Sequence, residues 1–426
     1  MAHVPGLNAQ SRQQPWSLRE CGAALEQALW AFEPGAAAAW SRLRAARPGS
    51  YARSRNHLEG AVTRLSPYLS HGYLELAEAL RELRRLHGLG LQHKLVQELG
   101  WRAYFRHAWR HLGERMFDSL HTGPLPEAAY ARALPPDVRG AATGVPAIDC
   151  SVRTLYAGGY LHNHARMWLA SYLVHVRKVH WRCGADWMWA HLLDGDLASN
   201  HLSWQWVAGT GSSKPYVFNA SNVARHAPPA WHSPGTVIDA SYEDLWARAF
   251  RAGDAGPEPG RRAGVAEPAL HASPPLEAVL CAPDARRLDG LDVWVVHPWC
   301  LADVPRGFAA VAVLDLDWHA RHPWSALRWG WVLRRMHELA PLRWAGSGAV
   351  LAEALRGARS LRGRADPHLP WLRTLPGLTE PASGFAEPAR HAPSFSAWWR
   401  GLRGFSADAG CKLAFDFDPP KQEFPS

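Results

Sequence analysis

The sequence has few cysteines and no long hydrophobic run, and each absence excludes a class of protein. Its 426 residues include six cysteines, scattered without a CxxC pair or a tight cluster. This argues against a disulfide framework, a structural zinc site and an iron–sulfur centre. No apolar segment approaches the roughly 20 residues of a membrane span, and the opening "MAHVPGLNAQSRQQPWSLRE" lacks the basic-then-apolar order of a secretory signal. We therefore expect a cytoplasmic protein with no bound metal and no membrane association.

Positive charge and aromatic side chains are what the sequence has in excess. Its formal net charge is +9, carried mostly by arginine. A permanently charged guanidinium suits phosphates, so this charge favours an anionic partner such as nucleic acid. The chain also contains 23 tryptophans and 23 histidines, many for its length. Either a tryptophan-rich core or a functional use of indoles would account for the tryptophans.

Hydrophobic periodicity divides the chain into two units. Apolar residues at three- and four-residue spacing predict an all-α unit, whereas two short β-rich runs and a helical pattern in the second half predict a smaller α/β domain. Between them lies a stretch rich in Gly, Pro and Ala. The predicted fold class is mainly α. The predicted divisions are a flexible amino terminus (1–17), a helical domain (18–250), a linker (251–275), an α/β domain (276–404) and a flexible tail (405–426).

Chemically distinct side chains share one face of a predicted helix in "ELGWRAYFRH". Glu98, Trp101, Arg102 and Phe105 fall at i, i+3, i+4 and i+7, which puts a carboxylate, an indole, a guanidinium and a ring on the same side. A plain core would not place a carboxylate there. Two interpretations remain open: a functional face, or an amphipathic helix in which Glu98 and Arg102 form an exposed i,i+4 pair.

A second such face occurs in "LHNHARM". Asn163, Arg166 and Met167 point the same way on a predicted helix. A buried guanidinium without a counter-charge would be very costly, and Asp194, 28 residues after Arg166, is a candidate partner. The alternative is two unrelated surface charges.

A third segment, "VTRLSPYLSHG", offers hydroxyl groups before a proline-led helix. Thr63 and Ser66 precede Pro67, and such a turn can bind an anionic group of a cofactor. The same pattern is also a common helix start. Finally, "LLDGDLASNHLSWQW" brings two aspartates, an asparagine and two tryptophans where a core helix would carry aliphatic side chains.

In their order along the chain, these segments closely resemble the FAD-binding domain of the photolyase/cryptochrome family. The resemblance rests on "RLSPYLSHG", "ELGWRAYFRH", "TGVPAIDCSVRTLYAGGYLHNHARM", "HWRCGADW", "LLDGDLASNHLSWQWVAGTG" and "KPYVFN". It covers roughly residues 50 to 225, and the "DGDLASN" block with "WQW" is its most specific part. The resemblance implies FAD as cofactor and an all-helical domain around it.

The resemblance also assigns residues to the flavin. It implies that Asp194, paired to Arg166, and Asp196 face a U-shaped flavin and that Asn200 lies near its N5 atom. The implied FAD-binding set is Tyr51, Thr63, Arg64, Leu65, Ser66, Arg166, Asp194, Gly195, Asp196 and Asn200.

The family's photoreduction chain is matched only in part. Trp204 and Trp181 match its first two members, and an easily oxidised indole beside a flavin is a suitable electron donor. Nothing aromatic occurs at the ungapped third position near Ala128. The nearest candidate for that outer position is Tyr130.

Photolyases split pyrimidine dimers in DNA, whereas cryptochromes signal, and the substrate contacts favour a photolyase. The resemblance implies that Trp101 and Trp206 stack on a flipped-out cyclobutane dimer, while Glu98 and Asn163 hydrogen-bond its polar edges. Asn163 replaces the histidine of enzymes that repair six-four photoproducts. His164 stands where a DNA-contacting arginine is frequent. The implied substrate-binding set is Glu98, Trp101, Arg102, Phe105, Asn163, His164, Met167 and Trp206.

The resemblance thus implies a light-driven, monomeric DNA-repair enzyme in which excited reduced FAD donates an electron to a dimer. Its implied catalytic residues are Glu98, Asn163, Trp204 and Trp181. Glu98 is expected to be protonated, because a dry pocket disfavours a carboxylate. The alternative function is a blue-light sensor without repair activity.

The residues outside this resemblance leave two questions. Family members usually begin with an antenna domain of roughly 100–200 residues, but only about fifty residues precede Tyr51, so we expect no such domain there, and a second chromophore stays unassigned. The carboxy-terminal unit is expected to be either a relocated antenna-like or partner-binding domain, or a packing module that caps the helical domain.

Overall fold

The computed structural model describes residues 32–257, 263–275 and 280–406. The predicted flexible terminus, residues 1–17, lies outside these ranges, as does the predicted tail apart from Phe405 and Ser406. About 48% of the described residues are helical, 3-10 and π turns included, and a parallel sheet is present. The described part of the chain combines a helical region (residues 36–249) with an α/β region (residues 270–400). Within the described ranges, every helix is too short or too polar to cross a bilayer.

The helical region consists of α-helices joined by short loops and single 3-10 or π turns. In chain order the helices are α1 (Ala36–Arg44), α2 (Pro48–Ser54), α3 (Ser66–Ser70), α4 (Leu76–His87), α5 (Lys94–Leu112), α6 (Pro136–Arg139), α7 (Pro146–Gly158), α8 (Asn163–Ser171), α9 (Trp181–His191), α10 (Leu197–Ala208), α11 (Ala220–His226) and α12 (Tyr242–Ala249).

Local sequence fixes the ends of the helix that follows the two aspartates. The Asp196 carboxylate accepts a hydrogen bond from the Ser199 N–H at 2.8 Å, which caps the amino terminus of α10. Gly209 ends the helix with φ +80°, a conformation that glycine adopts without steric cost. Glycine also lets α9 approach α10, because a Cβ atom at Gly184 would lie 2.4 Å from the Trp204 ring.

The α/β region contains a five-stranded, all-parallel sheet in the order β5-β3-β2-β6-β7. In chain order the strands are β1 (Leu270–His271), β2 (Asp292–Val296), β3 (Ala309–Asp315), β4 (Trp324–Ser325), β5 (Leu342–Gly346), β6 (Ser360–Arg364) and β7 (Leu378–Thr379). The strands run outward from β2 in both directions, which is the arrangement of doubly wound α/β folds. The helices of the α/β region are α13 (Leu316–Arg321), α14 (Ala326–Leu339), α15 (Gly348–Leu355) and α16 (Phe395–Arg400).

The register of the sheet aligns buried valines. Val295 lies opposite Val311 in β3 and Gly363 in β6. Val293 and Val295 are fully buried, as the near-continuous apolar strands of a parallel sheet require. Part of the predicted linker is also structured, since β1 pairs antiparallel with β4.

The two regions share one of two hydrophobic cores, and the buried residues of the other lie within the helical region alone. A single cluster of buried side chains includes Leu95 and Trp189 of the helical region together with Val295 and Trp329 of the α/β region. The ring of His71 crosses the boundary, with Nδ1 2.5 Å from the Pro298 carbonyl and Nε2 2.8 Å from the Leu193 carbonyl. The α/β region therefore packs directly against the segment that carries Asp194.

Candidate functional site

A cavity of about 300 Å³ lies among α3, α5, α8 and α10 of the helical region. It is lined by every residue assigned to FAD except Gly195, and by every residue assigned to the substrate except Trp206. Trp204 also lines it. The segments that were far apart in sequence therefore meet around one space.

The predicted partnership of Arg166 and Asp194 is present at the cavity wall. Arg166 Nη2 donates to both carboxylate oxygens of Asp194, at 3.0 and 2.7 Å, while its Nε donates to the Leu161 carbonyl at 2.9 Å. Burial opposes ionisation of Asp194, but the Arg166 guanidinium outweighs it and holds the pKa of this carboxyl below its usual value. Asp194 is therefore ionised at neutral pH, and the alternative of two unrelated surface charges is wrong.

Asp196 is the second buried carboxylate of the cavity. It forms an ion pair with Arg106, which also reaches Asp366 of the α/β region at 3.0 Å. Burial raises the pKa of Asp196, but the charges of Arg106 and Arg102 dominate and lower it. Two ionised aspartates, Asp194 and Asp196, thus line the same cavity.

Glu98 does not form the exposed pair with Arg102 that was the alternative to a functional face. Its carboxylate lies 3.5 Å from Arg55 Nε, whereas Arg102 Nη2 donates to the Ser70 hydroxyl at 3.0 Å. Burial raises the pKa of Glu98 and the Arg55 charge opposes this rise. The side chain of Glu98 is still 40% exposed, on the side where it lines the cavity.

The substrate-side aromatics divide between two spaces. Trp101 and Phe105 line both the cavity and a neighbouring groove of about 1060 Å³, and Trp206 lines only the groove. The Trp101 ring stacks on Phe395 of α16, with ring centroids 3.9 Å apart and planes at 9°. A side chain of the α/β region therefore contributes to the predicted substrate face, a contact that no sequence pattern predicted.

Three further substrate-side residues lie on α8. Asn163 Nδ2 is 3.4 Å from the Met167 sulfur. Burial, with the neighbouring His162 and His226, lowers the pKa of His164 to about 3. His164 is therefore neutral and carries none of the charge of the arginine that is frequent there.

The predicted electron-donor residues continue away from the cavity. Trp204 and Trp181 are both buried, and Trp181 Nε1 donates to the Ser119 hydroxyl at 2.9 Å. The Trp181 ring lies 5.7 Å from the His180 ring, which lies 6.4 Å from the Tyr130 ring. Tyr130 is thus connected to Trp181 through one imidazole, and its role as the outer member of the chain stays a prediction.

The polar groups of the cavity fit a polar, anionic cofactor such as FAD. Among the described residues, the buried Ser199 hydroxyl and His164 Nδ1 have no hydrogen-bond partner, and both residues line the cavity. Arg64 also lines it, in the left-handed conformation with φ +51°, a strained backbone of the kind found at functional sites. Helix α3 has only five residues, so its terminus alone is not an anion site, and Thr63 and Ser66 stay predicted ligands of an anionic group.

Sequence reasoning missed several residues that contact the site. Arg106 continues the Glu98–Arg102 face at the next i+4 position, so the same periodicity could have identified it. Asp366, Arg328 and Phe395 come from the α/β region, and no local pattern connects them to residues more than a hundred positions away.

Comparisons with known proteins find similarity over the part of the chain that forms much of this cavity. The family described as "FAD binding domain of DNA photolyase" matches residues 95–230. The deoxyribodipyrimidine photo-lyase of Streptomyces griseus is 37% identical over 155 residues, which cover 36% of this chain and 33% of that protein. The enzyme of the same name from a strain of Thermus thermophilus is 38% identical over 200 residues, covering 44% of this chain and 46% of that protein.

A solved structure gives a similar coverage. The Synechocystis sp. PCC6803 cryptochrome aligns over 55% of each chain with 24% identity and a TM-score of 0.43. The chain spans less than half the length of each of these two photo-lyases.

Proposed function

We propose that the chain belongs to the photolyase/cryptochrome family, binds FAD and uses light to split cyclobutane pyrimidine dimers in DNA. The match of residues 95–230 to the FAD-binding domain of DNA photolyase and the similarity to two photo-lyases support this. The observation that supports this most is the single cavity lined by both the flavin-assigned and the dimer-assigned residues. The net charge of +9 suits a DNA partner.

The chain's own residues hold and orient both ligands in this proposal. Arg166 and Asp194 form a fixed charged wall on the flavin side. Trp101 stacks on the flipped-out dimer, and Asn163 and Glu98 bind its polar edges. FAD supplies, when bound and reduced, light-driven donation of an electron to the dimer and its recovery afterwards, so the repair involves no net redox change. Trp204 and Trp181 are assigned to electron supply.

Glu98 has the most specific chemical role. A protonated Glu98 donates a hydrogen bond to the dimer as negative charge develops on it, which stabilises that charge. The raised pKa of Glu98 favours the protonated form that this role needs.

Repair under blue light tests the proposal directly. Purified protein loaded with FAD and reduced is mixed with oligonucleotides that carry one thymine dimer, single- or double-stranded in the same sequence, and recovery of thymine absorbance is followed in light and in darkness. We expect light-dependent repair, and the neutral His164 favours single strands. Trp101→Ala should keep the flavin and lose repair, because it removes a dimer contact without touching Asp194 or Asp196.

A blue-light sensor is the second candidate, and the stacking of Phe395 on Trp101 favours it. This contact connects the α/β region to the substrate face, so a change at one could reach the other. A sensor would repair no dimer even with a full complement of FAD, and light would change its oligomeric state or its binding to a partner.

A further inference from the structure

One arginine of the α/β region reaches behind the two flavin-side aspartates. Arg328 lies on α14 and is fully buried. Its Nη2 donates to the Gly195 carbonyl at 2.7 Å and its Nη1 to the Trp189 carbonyl at 3.0 Å. The guanidinium carbon lies 4.6 Å from the centroid of the Trp189 ring and 4.0 Å from that of Trp324. Arg328 is therefore held rigidly between two indoles and two carbonyls.

Arg328 differs from Arg166 and Arg106 because, among the described residues, it has no direct counter-charge. Arg166 and Arg106 form ion pairs with aspartates, but Arg328 forms none with any carboxylate in the described ranges, and its buried Nε has no hydrogen-bond partner there. Burial lowers the pKa of Arg328, and the charges of Asp194 and Asp196 oppose this. A guanidinium stays charged at neutral pH, so a cation without a direct ion pair among the described residues lies next to the loop that carries the two aspartates.

The loop between the aspartates is shaped around this cation. A Cβ atom at Gly195 would lie 2.4 Å from Arg328 Nη1 and 2.7 Å from the Trp189 carbonyl oxygen. Only glycine fits there, which explains its place between Asp194 and Asp196. Because Gly195 does not line the cavity, its contribution is to the backbone path that sets the directions of the two carboxylates.

A second, independent contact supports the same loop from the α/β region. His368 Nδ1 lies 2.5 Å from Asp366 Oδ1, and its Nε2 accepts from the Leu197 N–H at 3.4 Å. Asp366 also binds Arg106, the partner of Asp196. The α/β region thus contacts the segment at Gly195 and again at Leu197.

We propose that Arg328 is a positioning residue of the flavin site, with two effects. Its hydrogen bond to Gly195 fixes the loop so that Asp194 and Asp196 face the cofactor. Its charge, in a region of low dielectric, favours the more negatively charged reduced flavin over the oxidised one. The inference rests on the proposed binding of FAD, and it makes the α/β region a part of the flavin site rather than a detached module.

Three variants separate these two effects. Arg328→Met removes the charge and keeps an apolar stem, and Arg328→Lys keeps a charge but cannot reach both carbonyls. Arg335→Met is the matched control, because Arg335 is a buried arginine of the same helix. It donates to the Leu301 carbonyl and pairs with Asp303, and neither of these contacts involves Gly195. For each protein we would measure the dissociation constants of oxidised and of reduced FAD, and the midpoint potential of the bound flavin.

We expect Arg328→Met to weaken the binding of reduced FAD about ten times more than that of oxidised FAD, which for a two-electron couple corresponds to a potential about 30 mV more negative. Arg328→Lys should weaken both forms equally and leave the potential unchanged, and Arg335→Met should change neither. A lysine variant that folds decides the question even if the methionine variant does not, because a potential shifted as far as expected for charge removal would contradict a role for the charge.

Two outcomes would overturn the inference. In one, Arg328→Met binds both forms of FAD like the parent protein; in the other, Arg335→Met produces the same changes, which would indicate a general packing effect. Failure of the parent protein to bind FAD at all would instead contradict the proposed function, so the two failures are distinguishable.

Discussion

Single residues around the cavity carry charge states that the sequence alone could only suggest. The need of a buried guanidinium for a counter-charge predicted the Arg166–Asp194 pair, and the structure contains it. The same reasoning could not predict the partner of Glu98, because Arg55 follows directly after another helix, α2. Pairing within one helix is visible in a sequence, whereas pairing across the fold is not.

The charge state of Glu98 leads to a prediction of pH dependence. Its pKa is raised by burial, so the donor form is present at low pH and is lost as the pH rises through that raised pKa. The yield of dimer repair per absorbed photon should therefore fall with rising pH. Glu98→Gln keeps an N–H donor that does not titrate, so its yield should stay flat across the same range.

Glu98→Ala should lower the repair yield about tenfold, in keeping with the ~1.5 kcal/mol of a hydrogen bond to a charged group. Its FAD content should remain close to that of the parent, because Glu98 pairs with Arg55 and takes no part in the ion pairs of Asp194 and Asp196. Equal losses of repair and of FAD would show that Glu98 acts in flavin binding instead.

At the scale of elements, helix periodicity was sufficient for α5 and α8. The i, i+3, i+4 pattern predicted which side chains share the cavity face, and those side chains do line one cavity. The contact of α16 with α5 had no such signal. It depends on a tertiary approach in which the Trp399 ring lies 2.3 Å from where a Cβ atom of Gly100 would be, so that only glycine at this position lets α16 pack there.

This approach gives α16 a testable role in substrate binding. Phe395 stacks on one face of Trp101, and aromatic pairs contribute about 0.5–1.5 kcal/mol beyond the area they bury. Without that support the indole can rotate away from the dimer. Phe395→Ala should therefore weaken binding of dimer-containing DNA about fivefold, as ~1 kcal/mol implies, and leave FAD binding unchanged.

Fluorescence anisotropy with a labelled dimer oligonucleotide measures this effect. Phe308→Ala is a suitable control, because Phe308 is a half-buried ring in edge contact with Trp294 of the sheet, with no contact to α5. Tighter DNA binding by the Phe395 variant would mean that α16 blocks the substrate face rather than supporting Trp101.

The whole molecule is organised around the boundary between its two regions. Composition and periodicity indicated a helical part, a linker and an α/β part, and a module that packs against the helical domain was one of two interpretations of the last part. The structure has a shared core at this boundary, and part of the linker pairs with the α/β region as β1. Segments that each read as separate in sequence can share a core because burial depends on apolar area and not on order along the chain.

A shared core predicts that the two regions unfold together. Trp331 of α14 shows why: its Nε1 donates to the Phe32 carbonyl at 2.8 Å, and its ring lies 4.9 Å from the Tyr73 ring of the helical region. Opening either region would expose this side chain and its neighbours to water. In urea we expect one transition, with the same midpoint by tryptophan fluorescence and by far-ultraviolet circular dichroism.

FAD extends this prediction to ligand removal. A ligand that binds only the folded state at about 100 times its dissociation constant stabilises that state by about 2.7 kcal/mol, and in a cooperative molecule this stabilisation moves the whole transition. Removing FAD should lower the midpoint seen by both probes equally. Trp331→Ala removes contacts across the boundary and should cost about 3–5 kcal/mol, as other substitutions of buried tryptophans do. If this variant shows two unfolding transitions in urea, only the transition of the helical region should depend on FAD. Two transitions in the parent protein would show that the boundary couples the regions too weakly for Arg328 to act across it as a fixed support.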